Sequence, residues 1–398
     1  ILLQQHYYPE MVGVARRAKE LSEELVKKGH KVTVITSYPR NFRSIPNISF
    51  HKKENINNVK VIRFKTFFSV GKNIFFRFLS YIFYVISSFN YLFLNRKRYD
   101  IMISMAPLPP AIAASVARIL FKKYHHFDVP DILPDLGISA GMIKNKLLIK
   151  LLYKIEKFVY DNSDSISAIT NGQIKNIENK GVSIDKIYFI PDWIDQNFFK
   201  LNLTKYKKEV SKNFNNKKKI IITFAGNIGA LQNPEIFLDT MSLLKKEGQN
   251  KYQFVFIGDG IMLPSLLEKV KKYNIDNVKF LGRVKREHIP SYMNLSDILV
   301  ANYLPNEYSD ICIPGKIYEY AISNKPIIMG SKGEAKEIIE KYKLGIGVSP
   351  SNIEEFKNAI ISLTDGDYKF KPRITSFEDD FSLKRIANSF NKILNQIN

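Results

Sequence analysis

Short apolar runs alternate with amphipathic stretches along nearly the whole chain, in two series separated by a polar, Lys/Asn-rich interval at 200–219. Such alternation demands strands covered by helices, which means parallel sheets. The first series opens with a strand at 1–5, a glycine-containing loop at 6–13, a helix at 14–28 and a strand at 31–36. Val14, Ala18, Leu21 and Leu25 share one helix face, and Gly29 is placed to stop that helix. Further strands are expected at 60–64, 100–104 and 166–169, with helices at 74–94, 108–121 and 145–161. The second series runs from strand 219–226 through a helix opened by Asn233 and Pro234, strand 252–260, helix 262–273 and strand 278–282. It continues with helix 287–294, strand 297–303, a helix after Pro314, strand 326–329 and helix 334–342. The expected organisation is an α/β chain of two Rossmann-like doubly wound domains, 1–195 and 196–380. An amphipathic helix at 381–398 is expected to pack back on the first domain. Two such domains in series place a ligand at the strand ends, in the cleft between them.

At 398 residues the chain can bury two cores of ordinary size. Its one cysteine, Cys312, excludes a disulfide framework and points to a reducing compartment. The start ILLQQHYYP has no basic region or cleavage site, so no signal peptide is expected. The net charge of +22 is uneven: residues 1–100 hold 18 Lys/Arg against 6 Asp/Glu, and 51–98 contain Glu54 as the only acid. That region includes the apolar, aromatic run 74–94, interrupted by Arg77 and followed by Arg96, Lys97 and Arg98. A charge inside a span is costly, so the run is read as a membrane-facing or buried domain helix rather than a transmembrane one. Cations interleaved with Phe, Tyr and Ile suit an anionic membrane surface or a lipid-linked anionic substrate; the bland reading is solvated surface charge. Nucleic-acid binding rests on charge alone, because the excess follows an aromatic helix and not a reading motif.

The most informative stretch is DICIPGKIYEYAISNKPIIMG, 310–330. Pro314 and Gly315 open a short helix leading into a strand, and helix N-termini attract anions. Lys316 and Glu319, three apart, share one face. A cation beside a carboxylate suits a ligand with a phosphate end and a hydroxyl-rich end, as in a nucleotide sugar; the alternative is a surface pair.

AGNIGALQNPE (225–235) puts Gly226 and Gly229 at the end of the second domain's first strand, before a helix that can cradle a diphosphate. A third glycine and an acid after the next strand are missing, which disfavours NAD. Gly13, with Arg16 or Arg17 as counter-charges, forms a similar but weaker loop in the first domain. Gly258 and Gly260 read as a structural turn, and GRVKREHIP (282–290), with Arg283, Lys285 and Arg286, as a basic loop beyond a strand. His125, His126, Asp128, Asp131 and Asp135 cluster near the end of a first-domain strand. No second Cys or His group completes a metal set, so a base or sugar-hydroxyl contact from His126, Asp128 or Asp131 is the better functional reading. Asp365 and Asp367 (DGD) fit a polar turn.

Together these segments resemble the family-4 retaining glycosyltransferases of the two-Rossmann GT-B fold. The likeness runs through YYPEMVGVARRAKELSEELVKKGHKVTVIT, IPDWID, AGNIG, FVFIGDG, FLGRV and PGKIYEYAISNKPII. It is strongest to bacterial O-antigen and capsule enzymes of the N-acetylfucosaminyltransferase type. The resemblance implies that Glu319 binds the donor ribose, Lys316 faces the diphosphate, and Gly226, Asn227 and Gly229 form the phosphate loop. It also implies that Gly13 closes over the donor sugar and that backbone at Arg283 and Val284 meets the base. Three departures stand out. Ile311, with Asp310 beside it, replaces a glutamate eight positions before Glu319. Asn227, Gln232 and Asn233 replace an Arg and a Lys after the phosphate loop, and Val12-Gly13 replaces a glycine pair.

The expected activity is transfer of a sugar such as an N-acetylated hexosamine from a UDP donor to a polyprenyl-diphosphate-linked saccharide, in O-antigen or capsule synthesis. Lys316, Glu319, His126 and Asp131 are the catalytic candidates. No metal or other cofactor is expected, and the location implied is the cytoplasmic face of the inner membrane. A same-fold rival is a UDP-sugar 2-epimerase, which needs acid/base carboxylates and His in the cleft.

Overall fold

The structure is a computed structural model that describes all residues except 11–12, 40–48, 67–73, 215–218 and 396–398, and the side chains at 74, 75 and 77. Val12 and the side chain of Arg77 therefore lie outside the described residues. The chain divides into two compact units, Ile1–Asp192 with Leu383–Asn398, and Trp193–Ser382.

The first unit runs β1 (Leu2–Leu3), α1 (Val14–Lys27), β2 (Thr33–Ser37), β3 (His51–Ile56), β4 (Val59–Phe64), α2 (Ile74–Leu94) and β5 (Ile101–Met105). It continues α3 (Leu108–Phe121), β6 (Tyr124–Val129), α4 (Asp135–Ser139), α5 (Lys146–Asp161), β7 (Ser165–Ala168), α6 (Asn171–Asn179) and β8 (Ile187–Phe189). The second unit runs α7 (Gln196–Asn202), α8 (Lys207–Val210), β9 (Ile220–Ala225), α9 (Glu235–Lys246), β10 (Tyr252–Ile257), α10 (Leu263–Lys272), β11 (Val278–Phe280) and α11 (Ile289–Leu295). Then follow β12 (Ile298–Asn302), α12 (Glu307–Asp310), α13 (Gly315–Ile322), β13 (Ile327–Gly330), α14 (Glu334–Lys341), β14 (Gly345–Val348), α15 (Ile353–Thr364) and α16 (Ile374–Asp380). The last helix, α17 (Leu383–Asn395), belongs to the first unit.

Sheet order in the first unit is β3-β4-β2-β1-β5-β6-β7-β8, parallel except for β3. Strand β3 was not expected, because its sequence HKKENI is polar and lies at an edge. Its turn signal was present, since Asn57 and Asn58 both sit at positive φ (50° and 65°), as a two-residue hairpin turn of this hand requires. Helix α1 buries Ala18, Leu21 and Leu25, and α17 buries Ile386, Phe390 and Ile393 in the same unit. The α17 asparagines Asn388 and Asn391 bond Lys28 and His30, just beyond α1. No described helix is long and apolar enough to cross a membrane. Helix α2 packs Tyr84, Ser88 and Leu92 inward and leaves Phe78, Ile82 and Ile86 exposed.

Sheet order in the second unit is β11-β10-β9-β12-β13-β14, all parallel. Strand alternation divides its core between the two faces. Phe224, Phe254 and Phe256 join Phe237 from α9 on one face, while Val255 and Ile257 face the other. The Phe237–Phe254 rings stack with centroids 5.3 Å apart, an arrangement that adds about 0.5–1.5 kcal/mol beyond area burial. This strand order reverses between β9 and β12, the position at which open α/β sheets bind ligands.

Candidate active site

Two segments leave the second sheet at that reversal: the glycine loop after β9 and the segment from β12 to α13. Strand β9 hands directly to Gly226, whose φ of +139° side chains rarely adopt. The loop after β10 presses against it. A methyl at Gly258 would lie 1.9 Å from the Gly226 carbonyl oxygen, so position 258 needs glycine for backbone approach. Hydrogen bonds from Gly226 N to Ile257 O (2.8 Å) and from Ile228 N to Asp259 O (2.9 Å) lock the two loops together. Gly229 has ordinary extended backbone, and its missing side chain leaves room for the amides of Asn227 and Gln232. A short 3-10 turn, Ala230–Gln232, separates this loop from α9, so the glycines do not run straight into a helix.

Helix α13 begins at Gly315 with Pro314 as its extended cap. Lys316 reaches from its first turn to Gly226: a methyl on that glycine would be 2.9 Å from Nζ. The ammonium stands 3.7 Å from the centroid of the Phe224 ring. Among the described residues Nζ is out of contact with solvent and has no hydrogen-bond partner. Burial pulls its pKa down to about 7. An amine with three donors and no acceptor is costly to hold there, and an arriving anion would satisfy it.

Glu319, one turn further on, keeps its carboxylate 41% exposed, 3.8 Å from Arg286 Nη2. Arg286 in turn covers the Phe198 ring at 4.8 Å. Arg286, expected in a basic loop beyond a strand, thus stands beside Glu319. Arg283 is 82% exposed and bonds Asp259 at 3.0 Å, while Val284 packs at the margin of the core. Asp310 ends α12 and Ile311 caps it. Burial raises the Asp310 carboxyl above its ordinary range, opposed by the charge of Lys332. Asn302, buried at the end of β12, donates to the Gln232 carbonyl at 3.1 Å and so ties β12 to the loop after β9. Nothing in the spacing of the sequence marked that residue.

In the first unit several expectations are corrected. Arg17 is no counter-charge for a ligand. It is 2% exposed and forms a bidentate pair with Asp128 (2.7 and 2.9 Å), with its remaining donors on the carbonyls of Ile190 and Pro191. Arg16 is already neutralised by Glu20 (2.8 Å) and Asp192 (3.1 Å). His126 is fully buried between Ser165 and Ser167 (2.7 and 2.9 Å), with Phe390 of α17 across its ring. Desolvation lowers its pKa to about 3, so it is a neutral core histidine and not a base facing a ligand. Asp128 belongs to the same network through Ser167 Oγ, which donates to it at 2.6 Å. With His126 and Asp128 sequestered, the epimerase reading loses the groups that favoured it. Asp131 is exposed in the loop after β6. Gly13 caps α1 at φ +51°, ψ −121°, with open space where a side chain would be. Among the described residues no three His, Cys, Asp or Glu are grouped to hold a metal.

Comparison with known proteins matches residues 11–198 to the family Glycosyltransferase Family 4 and residues 205–375 to the family Glycosyl transferases group 1. The chain is 23% identical over 367 residues to the putative colanic acid biosynthesis glycosyl transferase WcaI of Escherichia coli, covering 88% of each protein. It is 34% identical over 103 residues to an α-1,4-N-acetyl-D-galactosaminyltransferase of Campylobacter jejuni, whose name describes a diNAcBac-PP-undecaprenol-linked saccharide. That match spans 26% of this chain and 28% of the other; against a further curated relative the chain spans 56% of that protein's length. Among solved structures, Anabaena HepE in complex with UDP and glucose superposes with a TM-score of 0.71 at 14% identity, over 99% of this chain and 98% of that one. The two sheets are those of the GT-B fold, as the likeness to this neighbour shows.

Proposed function

We propose that this chain, a glycosyltransferase of the GT-B fold, works with retention of configuration. It moves a sugar, an N-acetylated hexosamine of the N-acetylfucosamine type, from UDP to a polyprenyl-diphosphate-linked saccharide during surface polysaccharide synthesis. The observation that carries this reading is Lys316: a buried, unpartnered amine against a glycine loop, at the reversal of a parallel sheet. A donor diphosphate supplies the acceptors that this amine lacks.

Each residue then has a chemical role. Glu319 accepts from both ribose hydroxyls, for which a carboxylate has the capacity. Lys316 and the N-terminus of α13 stabilise the charge that grows on the departing diphosphate. Gly226 gives the same phosphates close backbone approach, amides at Asn227 and Gly229 lie along them, Asp310 stands where relatives have a glutamate one position on, and backbone at Arg283 and Val284 meets the base. The bond from the anomeric carbon to the phosphate oxygen breaks while the acceptor oxygen bonds that carbon on the same face. The acceptor proton passes to the leaving phosphate oxygen. No protein nucleophile is needed, in keeping with the burial of His126. Asp131 is then the remaining first-unit carboxylate to orient acceptor hydroxyls.

The Campylobacter relative supports the lipid-linked acceptor by its name, and HepE supports UDP by its bound ligand. The cationic first unit fits the anionic cytoplasmic face of an inner membrane. The deciding experiment is a UDP-sugar panel scored for slow donor hydrolysis, which needs no acceptor. Release of UDP from one sugar is expected. No hydrolysis of any of them would overturn the donor assignment.

A further inference from the structure

The free edge of the first unit's sheet carries a feature that donor chemistry does not use. Register in the hairpin pairs His51 with Phe64, Lys53 with Ile62 and Asn55 with Lys60. Since strand residues alternate, these six share one face, and Glu54 lies on the other, where it pairs with Arg63. Helix α2 faces the first set across a groove of about 570 Å³. Its apolar wall includes Phe83, Ile86 and Leu94, with Phe50 edge-on to Phe83 at 5.9 Å. Among the described residues Phe50, Ile86 and Leu94 are 53%, 53% and 76% exposed, so covering this apolar surface would be favourable.

The rim is cationic. Lys53, Lys60 and Arg98 line the groove, no acid does among the described residues, and none of the three has a carboxylate within 4.0 Å among them. Arg98 lies just past the C-terminus of α2, where the helix dipole alone would favour it. Lys53 and Lys60 stand on strands and have no such reason. Apolar floor and anion-seeking rim together describe one kind of guest, a hydrocarbon chain with a phosphate head.

We propose that this groove binds the isoprenoid chain and phosphate of a polyprenyl-diphosphate-linked acceptor; the proposal rests on the function read above. The test is calorimetric titration of the full chain with farnesyl diphosphate, in saturating UDP so that the donor site is occupied. Binding is expected, weakened at least tenfold by the double variant Lys53→Glu/Lys60→Glu and, independently, by Ile86→Asp. These side chains are exposed, and an unchanged thermal midpoint certifies each variant as folded. Inorganic pyrophosphate should bind far more weakly than the farnesyl compound. Equal affinity for pyrophosphate, or full farnesyl binding in both variants, would overturn the proposal. So would phosphatidylglycerol vesicles that bind through Ile86 while farnesyl diphosphate does not, since that outcome makes the face a bilayer contact. Donor hydrolysis by the unaltered protein separates the two readings: if it is present and farnesyl binding is absent, the groove assignment alone fails.

Discussion

The Tyr320 hydroxyl accepts from the Ala225 amide at 2.8 Å and donates to the Ala225 carbonyl at 3.1 Å. Ala225 ends β9, where pairing with β12 has already stopped at Thr223. One buried phenol thus takes the place of β12 at the end of β9 and joins α13 to the loop that begins at Gly226.

Tyr320→Phe leaves both Ala225 groups unpaired in the core. A loss of about 1–3 kcal/mol is expected, read as a lower urea midpoint at unchanged slope. The donor KM should rise as Gly226 loosens. An unaltered midpoint would mean that the backbone finds other partners.

Lys316→Ala and Glu319→Ala should each lower the transfer rate by about 100-fold or more, as for lost contacts to transition-state charge. Unchanged kinetics in both would remove the site assignment. Without ligand, Lys316→Met should match or exceed the parent in stability, because it removes an unsatisfied amine. The pH dependence has a definite sign. The folded pKa, about 7, lies below the ordinary 10.5, so between those values the unfolded chain binds more protons and stability rises with pH. The methionine variant should lack that rise in unfolding experiments from pH 7 to 10.

Arg17→Met should cost about 3–5 kcal/mol, since it strands the buried Asp128 carboxylate. Thermal unfolding measures this directly. A variant of full stability with impaired substrate binding would return Arg17 to the ligand.

His125 and His126 are held neutral by burial, with pKa values lowered to about 4 and about 3. Below pH 6.5 the unfolded chain takes up protons that the folded one refuses, so stability falls as pH drops toward 4. Imidazole NMR signals should remain those of the neutral ring through pH 5. Titration of both near 6.5 would contradict their burial.

Transfer should persist in EDTA, because Lys316 and the α13 terminus supply the positive charge in the proposed mechanism. Strict dependence on Mg²⁺ or Mn²⁺, assayed after chelation, would count against it.

The second half of the chain was the more legible. Its strands are continuous apolar runs bounded by glycines, and Gly226, Gly258 and Pro314 mark strand and helix ends that any α/β unit needs. The edge strand β3 was missed because a polar strand exposed on its outer side has no hydrophobic period. Strands β8 (IYF) and β14 (GIGV) are too short to show one. Tyr320 and Asn302 passed unnoticed for another reason: each acts on backbone far away in sequence, and no local pattern reports that.

The amino-acid order by itself determined two parallel α/β units and the glycine loop and helix start in the second, because burial periodicity and turn chemistry are local. Which polar side chains face a ligand was decided only by the tertiary structure. Lys316 reads as a cation at a helix start and Arg17 as one beside a glycine loop, yet the amine has no hydrogen-bond partner among the described residues and the guanidinium is saturated by Asp128 and two carbonyls. In YHHFDV the alternation that usually tells inside from outside carries no information, since a central parallel strand is covered on both faces. His126 and Asp128 had to be buried whichever way they pointed, and only their partners on β7 and α1 show that the network is structural.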